Sequence, residues 1–228
     1  MSRRPILAAL AIVAVSVGLA PEAAASAAIT HQTVTHQTVT HHPTAEIFAT
    51  NNTATITDPN DPRLRTRLVG FGAQVEGIIA TNGAWPGCST LLNGVFWSDD
   101  LKTATYERSR EFDVDHVSAA SLHHIASVIR KQYDQESVLT FQYLPQAGAD
   151  SVEVEVPGVT VQQLFNGLAA DPVLREELGG GSVTADGNRL ALIADKSELG
   201  AIQTFVGELG ASWSKATVAY GHLEFVAD

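Results

Sequence analysis

Residues 103–144 read TATYERSREFDVDHVSAASLHHIASVIRKQYDQESVLTFQYL, in which two kinds of periodicity follow one another. Along residues 103–114 one set of side chains alternates with the other: Ala104, Tyr106, Arg108, Arg110, Phe112 and Val114 against Thr105, Glu107, Ser109, Glu111 and Asp113. A period of two indicates a β-strand with two different faces. Residues 118–133 repeat apolar side chains every three or four positions, which predicts an amphipathic helix. A second strand follows at 137–144.

The segments on either side of this stretch add helices and hairpins. Upstream, the spacing of apolar residues predicts a helix at 62–80, and a strand at 91–97 that leads back into 103–114 through Asp99-Asp100. Downstream, valines alternate with Glu153 and Glu155, which predicts a strand with one solvent-exposed face. The remaining predicted elements are a helix at 161–178 interrupted at Asp171-Pro172, a hairpin with strands 182–184 and 189–194, a helix at 197–209 and a strand at 216–226.

The second half of the chain has a pattern similar to the first. A shift of 80 positions superposes apolar residues of the 118–133 helix on those of the 197–209 helix, which suggests two copies of an α-β-β-α-β unit at 62–145 and 151–228. Helices mixed with hairpins favour the α+β class, with an antiparallel sheet packed against helices. The layout resembles ferredoxin-like sandwiches, an analogy that carries no function.

The N-terminus has the features of an export signal. Arg3 and Arg4 precede an uncharged apolar run, residues 6–19, and small residues at Ala23, Ala25 and Ala27 fit signal peptidase. The apolar run is shorter than the roughly 20 residues that a spanning helix needs. We therefore expect residues 1–27 to be a signal peptide and the protein to be secreted, without a membrane span after cleavage.

Residues 28–57 are polar and repetitive. The motif Thr-His-Gln-Thr-Val occurs twice in succession and is followed by Thr40-His41-His42. Such a segment cannot bury enough apolar surface to order itself, so we expect a disordered arm before a globular region at 58–228. Its histidines are compatible with zinc or copper binding, but a flexible chain offers no preformed geometry, and a plain linker is the favoured interpretation.

The charge of the chain excludes some partners. Its 228 residues include 14 basic and 25 acidic side chains, a formal net charge of -11, and a single cysteine. A surface of this sign repels nucleic acid and favours cationic partners, cell-wall amines or divalent ions. One cysteine excludes a disulfide framework.

One polar cluster, Asp113-Val114-Asp115-His116, is followed by His123-His124. Carboxylates and an imidazole at the end of a strand suit a zinc or manganese ion. The simpler interpretation, which we favour, is that the acids and Ser118 cap the helix that follows.

Cys88 is the other candidate for chemistry, as a nucleophile that would need a nearby histidine. The chain contains neither a Gly-x-Ser-x-Gly, a His-Glu-x-x-His nor a phosphate-binding glycine motif. The sequence therefore assigns no catalytic, metal or cofactor residue and leaves open whether the protein is an enzyme. It favours a secreted, non-catalytic binding module with an extracellular protein or cell-wall partner. The alternative is a small extracellular hydrolase with its site near Cys88, Asp113, Asp115 and His116.

Overall fold

The computed structural model of the chain describes residues 43–186 and 189–227. The predicted signal peptide, residues 1–27, and residues 28–42 of the predicted arm lie outside the described residues. Within those that are described, no helix is both long enough and apolar enough to cross a lipid bilayer.

The described residues form eight strands, five α-helices and three short 3₁₀ helices. The strands are β1 (Ala45–Ala49), β2 (Trp85–Ser98), β3 (Thr103–Asp115), β4 (Val138–Tyr143), β5 (Ser151–Pro157), β6 (Gly180–Thr184), β7 (Arg189–Asp195) and β8 (Thr217–Val226). The α-helices are α1 (Val69–Thr81), α2 (Ala119–Gln132), α3 (Val161–Ala170), α4 (Pro172–Leu178) and α5 (Leu199–Glu208). The 3₁₀ helices are Pro62–Arg65, Lys196–Glu198 and Trp213–Lys215.

The strands close into a single antiparallel barrel. Their order around it is β1-β3-β2-β6-β7-β5-β8-β4, and β4 pairs with β1 to complete the ring. The predicted fold, an antiparallel sheet packed against helices in a ferredoxin-like layout, is therefore wrong. Periodicity identifies strands but not which distant edges meet, and here β2 pairs with β6 and β4 with β8. This pairing leaves no open sheet edge between the two halves.

The first half contains a strand that the sequence analysis missed. We assigned residues 28–57 to a disordered arm, whereas Ala45–Ala49 forms β1, lies between β3 and β4, and is almost entirely buried. Five residues are too few to show a clear alternation, and they follow directly on the polar repeats. With β1 included, the first half has the order β1-α1-β2-β3-α2-β4, and the second half has the same order except that two helices, α3 and α4, follow its first strand.

The helices cover the outside of the barrel in two apolar clusters. In the first, α1 and α2 contribute side chains such as Val75 and Ile125 against Ile47 and Phe112 of the barrel wall. In the second, α3 and α5 pack against outward-facing residues of β5 and β7. Each of these strands therefore turns its apolar side chains outward, beneath helices.

Two predicted helix boundaries are confirmed and one is wrong. Asp171 caps α4 by accepting the N–H groups of Val173 and Leu174, so the break before Pro172 is real. Helix α2 begins after Ser118, whose side chain accepts the N–H of Ser121. By contrast, α1 begins at Val69, and Pro62–Arg65 is a separate 3₁₀ turn.

Candidate functional site: the acidic interior of the barrel

The polar faces of three strands point into the barrel. Because Ile47 of β1, Phe112 of β3 and Val154 of β5 face the outer clusters, the residues next to them along each strand face inward. The inward-facing acids include Glu46, Glu107, Glu111, Asp113, Glu153 and Glu155. We predicted a solvent-exposed face for Glu153 and Glu155, but Glu153 is only 3% exposed.

Three of these acids converge on one point. The strand register sets Glu46 opposite Asp113 across the β1–β3 pair, and Glu111 lies one inward position further along β3. Carboxylate oxygens of Glu46, Glu111 and Asp113 all lie within 4.8 Å of one another. Glu46 and Glu111 are each 5% exposed. Strand pairing therefore brings Glu46 next to Glu111 and Asp113, which follow it by 65 and 67 positions in the chain.

The cluster contains oxygen atoms without hydrogen-bond partners. Among the described residues, Oε2 of Glu46 and Oε2 of Glu111 are buried and accept no hydrogen bond. The third member, Asp113, accepts the backbone N–H of Cys88. Because an unmatched buried carboxylate oxygen is costly, this arrangement is stable only if something else neutralises it.

Tyr143 of β4 shows that at least one proton is already present. Its hydroxyl oxygen lies 2.5 Å from Oε1 of Glu46 and 2.7 Å from Oε2 of Glu153, both hydrogen-bonding distances. A phenol has one hydrogen to donate, so the second short contact needs a hydrogen on one of the two carboxyl groups. Either Glu46 or Glu153 is therefore protonated.

The pKa values of the acids agree with this proton count. Burial, followed by the charges of Glu153 and Glu111, raises the pKa of Glu46 to about 10. Burial, together with the charge of Glu153, raises the pKa of Glu111 to about 7. The pKa of Asp113 is also raised, mainly by burial. The cluster therefore retains protons at neutral pH.

One basic side chain reaches the cluster from the barrel end. Arg189, the first residue of β7, forms an ion pair with Glu155 through Nη1, and its Nη2 lies 4.0 Å from Oε2 of Glu111. Its side chain is 33% exposed, so it lies at the boundary between the interior and solvent. A single guanidinium cannot balance the inward-facing acids.

Either protons or a cation can neutralise such a cluster. Hard divalent cations take carboxylate oxygens at about 2.0 to 2.6 Å, which places opposite ligand atoms about 4 to 5 Å apart. The spacing within 4.8 Å matches that range. The arrangement is chemically suited to hold one metal ion between Glu46, Glu111 and Asp113.

The residues that the sequence analysis grouped together separate in the structure. Only Asp113 belongs to the cluster. Asp115 does not cap α2; its Oδ1 accepts the N–H and hydroxyl of Thr44, at 3.0 and 3.2 Å. His116 has a φ of 54° and its ring lies 4.3 Å from that of Trp85.

The hydrolase grouping is likewise not assembled. Cys88 is exposed, and no hydrogen bond within residues 43–186 and 189–227 joins its thiol to a histidine. His123 instead contacts Glu224, with Nδ1 2.9 Å from Oε1. Of the residues named for the alternative hydrolase site, only Asp113 belongs to the carboxylate cluster, and Cys88 adjoins it through its backbone N–H.

Sequence analysis missed Glu46, Glu111 and Tyr143. A signal for Glu111 was present in the acidic face of residues 103–114, and Glu153 and Glu155 gave β5 a similar face. From the sequence alone, the acidic faces of these two strands could either meet solvent or line the polar interior of a barrel. Only the closure of the sheet distinguishes the two.

Comparisons with known proteins add little to this picture. No protein-family model matches the chain, and no curated protein matches it either. One similar solved structure is that of an anthrone oxidase-like protein, with 13% sequence identity and a TM-score of 0.24. The match covers 82% of this chain and 94% of the anthrone oxidase-like chain. A proposed monooxygenase from Lactobacillus acidophilus NCFM has 12% identity and a TM-score of 0.24, over 82% of this chain and 97% of its own. Similarity at this level carries no argument, so the barrel assignment rests on the strand pairing of the chain itself.

Proposed function

We propose that this protein is a secreted, non-catalytic binding protein that holds a divalent cation inside its barrel, at Glu46, Glu111 and Asp113. The observation that carries the proposal is the convergence of three carboxylates within 4.8 Å, two of which have a buried oxygen with no hydrogen-bond partner. Export and a cell-wall or extracellular protein partner stay predictions from the sequence.

The ligand set favours a cation that prefers oxygen. Carboxylates suit Ca²⁺, Mg²⁺ and Mn²⁺, whereas sites for softer metals use thiolates or imidazoles. The interior also carries the negative charge that such an ion needs, because Glu153 and Glu155 lie on the same inner wall with Arg189 as the nearby positive charge. A bound cation would replace the protons that Glu46 and Glu111 retain, so its binding releases protons.

The test is a cation-dependent change in stability. Thermal unfolding of the full chain is followed with Ca²⁺ and with Mn²⁺, against a chelated sample. At a hundredfold excess over the dissociation constant, a single site gains about 2.7 kcal/mol. We expect this gain in the wild type, and we expect it to disappear in the double variant Glu46→Gln/Glu111→Gln.

A matched control removes the same charge elsewhere. Glu176 and Glu177 are exposed on α4, and their double change to Gln alters net charge equally without touching the barrel interior. This control should respond to cations as the wild type does. An absent response in the wild type, or an equal response in the Glu46→Gln/Glu111→Gln variant, would refute the proposed site.

A further inference from the structure

We propose that Arg189 is an internal counter-ion of the cation site, and that a bound cation takes the place of its guanidinium beside Glu111. Arg189 then sets the affinity of the site, because it stabilises the cation-free barrel and repels an incoming cation. The inference rests on the proposed function and adds to it a residue that competes with the ligand.

The backbone of Arg189 is fixed, while its side chain reaches the boundary between the interior and solvent. Arg189 begins β7, its Cα lies opposite that of Pro157 at the end of β5, and its N–H donates to the hydroxyl of the buried Thr184 at 3.2 Å. The side chain is long, has several rotatable bonds and is partly exposed. The guanidinium can therefore change position while the strand stays in place.

The guanidinium makes one close contact and one longer contact with carboxylates. Nη1 pairs with Oε1 of Glu155, whereas Nη2 lies 4.0 Å from Oε2 of Glu111, beyond hydrogen-bonding distance. This oxygen of Glu111 is one of the buried atoms that accept no hydrogen bond among the described residues, and Glu111 belongs to the carboxylate cluster. Arg189 thus attracts the carboxylate of Glu111 and leaves one of its oxygens free for a ligand.

A cation on that oxygen would lie close to the guanidinium. Hard divalent ions lie about 2.0 to 2.6 Å from a carboxylate oxygen, so an ion bound to Oε2 of Glu111 lies within about 7 Å of Nη2 of Arg189. Positive charges at this separation repel strongly where little water screens them. Glu155 offers the guanidinium a more exposed partner, with 24% of its side chain accessible against 7% for Glu111. Arg189 can therefore stay paired with Glu155 when it moves away from Glu111.

This arrangement gives Arg189 opposite effects on the two states of the barrel. Without a cation, its charge offsets the carboxylates of Glu111 and Glu155 and stabilises the fold. With a cation, the same charge is unfavourable. A residue that only held the strands together would support both states, so its loss would weaken cation binding or leave it unchanged. The sign of the change in affinity therefore distinguishes a counter-ion from a structural residue.

The experiment measures Mn²⁺ binding to the full chain by isothermal titration at pH 8, where fewer protons compete for the carboxylates. Urea denaturation of the chelated proteins gives their stability. Arg189→Gln removes the charge, and Arg189→Lys keeps it on a side chain that lacks the planar, forked guanidinium. The matched control is Arg175→Gln on α4, because the guanidinium of Arg175 lies over the ring of Trp97, 3.9 Å from its centre, among the outer side chains.

We expect Arg189→Gln to bind Mn²⁺ at least about tenfold more tightly than the wild type, and to unfold at a lower urea concentration when no cation is present. The affinity of Arg189→Lys should lie between those two proteins, and that of Arg175→Gln should equal the wild-type affinity.

Two results would overturn the inference and leave the proposed function intact. One is an Arg189→Gln affinity equal to or weaker than that of the wild type, which would make Arg189 a structural residue. The other is equal tightening in Arg175→Gln, which would show that only the net charge matters. Absence of Mn²⁺ binding from the wild type and from every variant would overturn the proposed function, and the inference with it.

Discussion

The outer and inner faces of the same strands are stabilised by different physical means. On β1, Ile47 faces outward into an apolar cluster of seventeen buried residues, whereas its neighbour Glu46 faces inward towards other carboxyl groups. Both side chains are essentially inaccessible to solvent. Burial stabilises the outer face, because apolar area leaves water. On the inner face burial is a cost, which is reduced only by protons, hydrogen bonds or a cation.

This contrast separates the roles of stability and function in the chain. The outer face carries apolar side chains, which pack against the helices in two buried clusters. The inner face keeps ionisable groups where apolar ones would be more favourable for stability. We therefore propose that function depends on the interior. Substitutions on the inner face and on the outer face should then have different effects on stability.

The largest difference should come from the same amide placed at adjacent positions of β1. Ile47→Gln inserts a polar group into the outer apolar cluster and should reduce the free energy of unfolding by about 3 to 5 kcal/mol. Glu46→Gln should change it by no more than about 1 kcal/mol at pH 7, because the pKa of Glu46, raised to about 10 by burial, keeps it protonated at this pH and Gln has nearly the same shape. Urea denaturation monitored by circular dichroism measures both. A Glu46→Gln variant as unstable as Ile47→Gln would show that the charged carboxylate is needed for folding.

The second prediction concerns pH and belongs to the inner face alone. The folded-state pKa values of Glu46 and Glu111, about 10 and about 7, lie above the ordinary glutamate value of 4.5. Their contribution to stability is fully present below about pH 4.5 and is lost as pH rises towards those values. Above pH 4.5 the folded state holds more protons than the unfolded state, so stability falls by up to about 1.4 kcal/mol per pH unit for each retained proton.

Urea denaturation of the chelated protein at pH 5, 6, 7 and 8 tests this sign. The wild type should become less stable from pH 5 to pH 8, and Glu46→Gln/Glu111→Gln should show a flatter dependence. The Glu176→Gln/Glu177→Gln control should follow the wild type. A wild type that gains stability over this range, with the same slope in the variant, would contradict the raised pKa values.

The outer face was far more predictable from the sequence than the inner one. The α2 stripe of Leu122, Ile125, Ala126 and Ile129 is read directly from its spacing, and all four residues are buried as that spacing implies. Local periodicity determines such a face because helix geometry brings residues three and four apart together. Most helices and strands were identified for this reason.

The inner site depends on contacts that local patterns do not encode. Glu46 and Asp113 meet because β1 pairs with β3, and Tyr143 joins them because β4 closes the ring on the other side of β1. The alternation of β5 shows two faces but not which of them meets solvent. A strand of five residues next to polar repeats gives almost no periodic signal, so β1 and its glutamate were missed together.

The third prediction compares two tyrosines, one on each face. Tyr143→Phe removes the hydroxyl that bridges Glu46 and Glu153 inside the barrel, and it should cost about 1 to 3 kcal/mol because buried carboxyl oxygens lose a partner. Tyr220 lies on the outer side of β8, with the ammonium of Lys196 5.7 Å from its ring centre. Tyr220→Phe keeps that ring and should change stability by less than about 0.5 kcal/mol. Chemical denaturation of the two variants side by side decides whether the inner hydroxyl is special, and equal effects would show that it is not.

The smallest expected effect tests the start of α2, where two interpretations of one sequence motif differ. Ser118 accepts the N–H of Ser121 at 3.2 Å, whereas Asp115 is engaged with Thr44. Ser118→Ala should therefore cost about 1 kcal/mol, and Ser118→Gly only a few tenths, because glycine is tolerated at a helix N-cap without a side-chain hydrogen bond. In an Asp115→Asn background, Ser118→Ala should still cost more stability than Ser118→Gly. The reason is that the carboxylate of Asp115 binds Thr44, just before β1, and not the first turn of α2. Urea denaturation resolves differences of this size when the free energy of unfolding has the same dependence on urea concentration in all variants. If Ala and Gly cost the same, the cap at Ser118 contributes nothing, and the stability of this part of the outer face comes from the buried stripe of α2 alone.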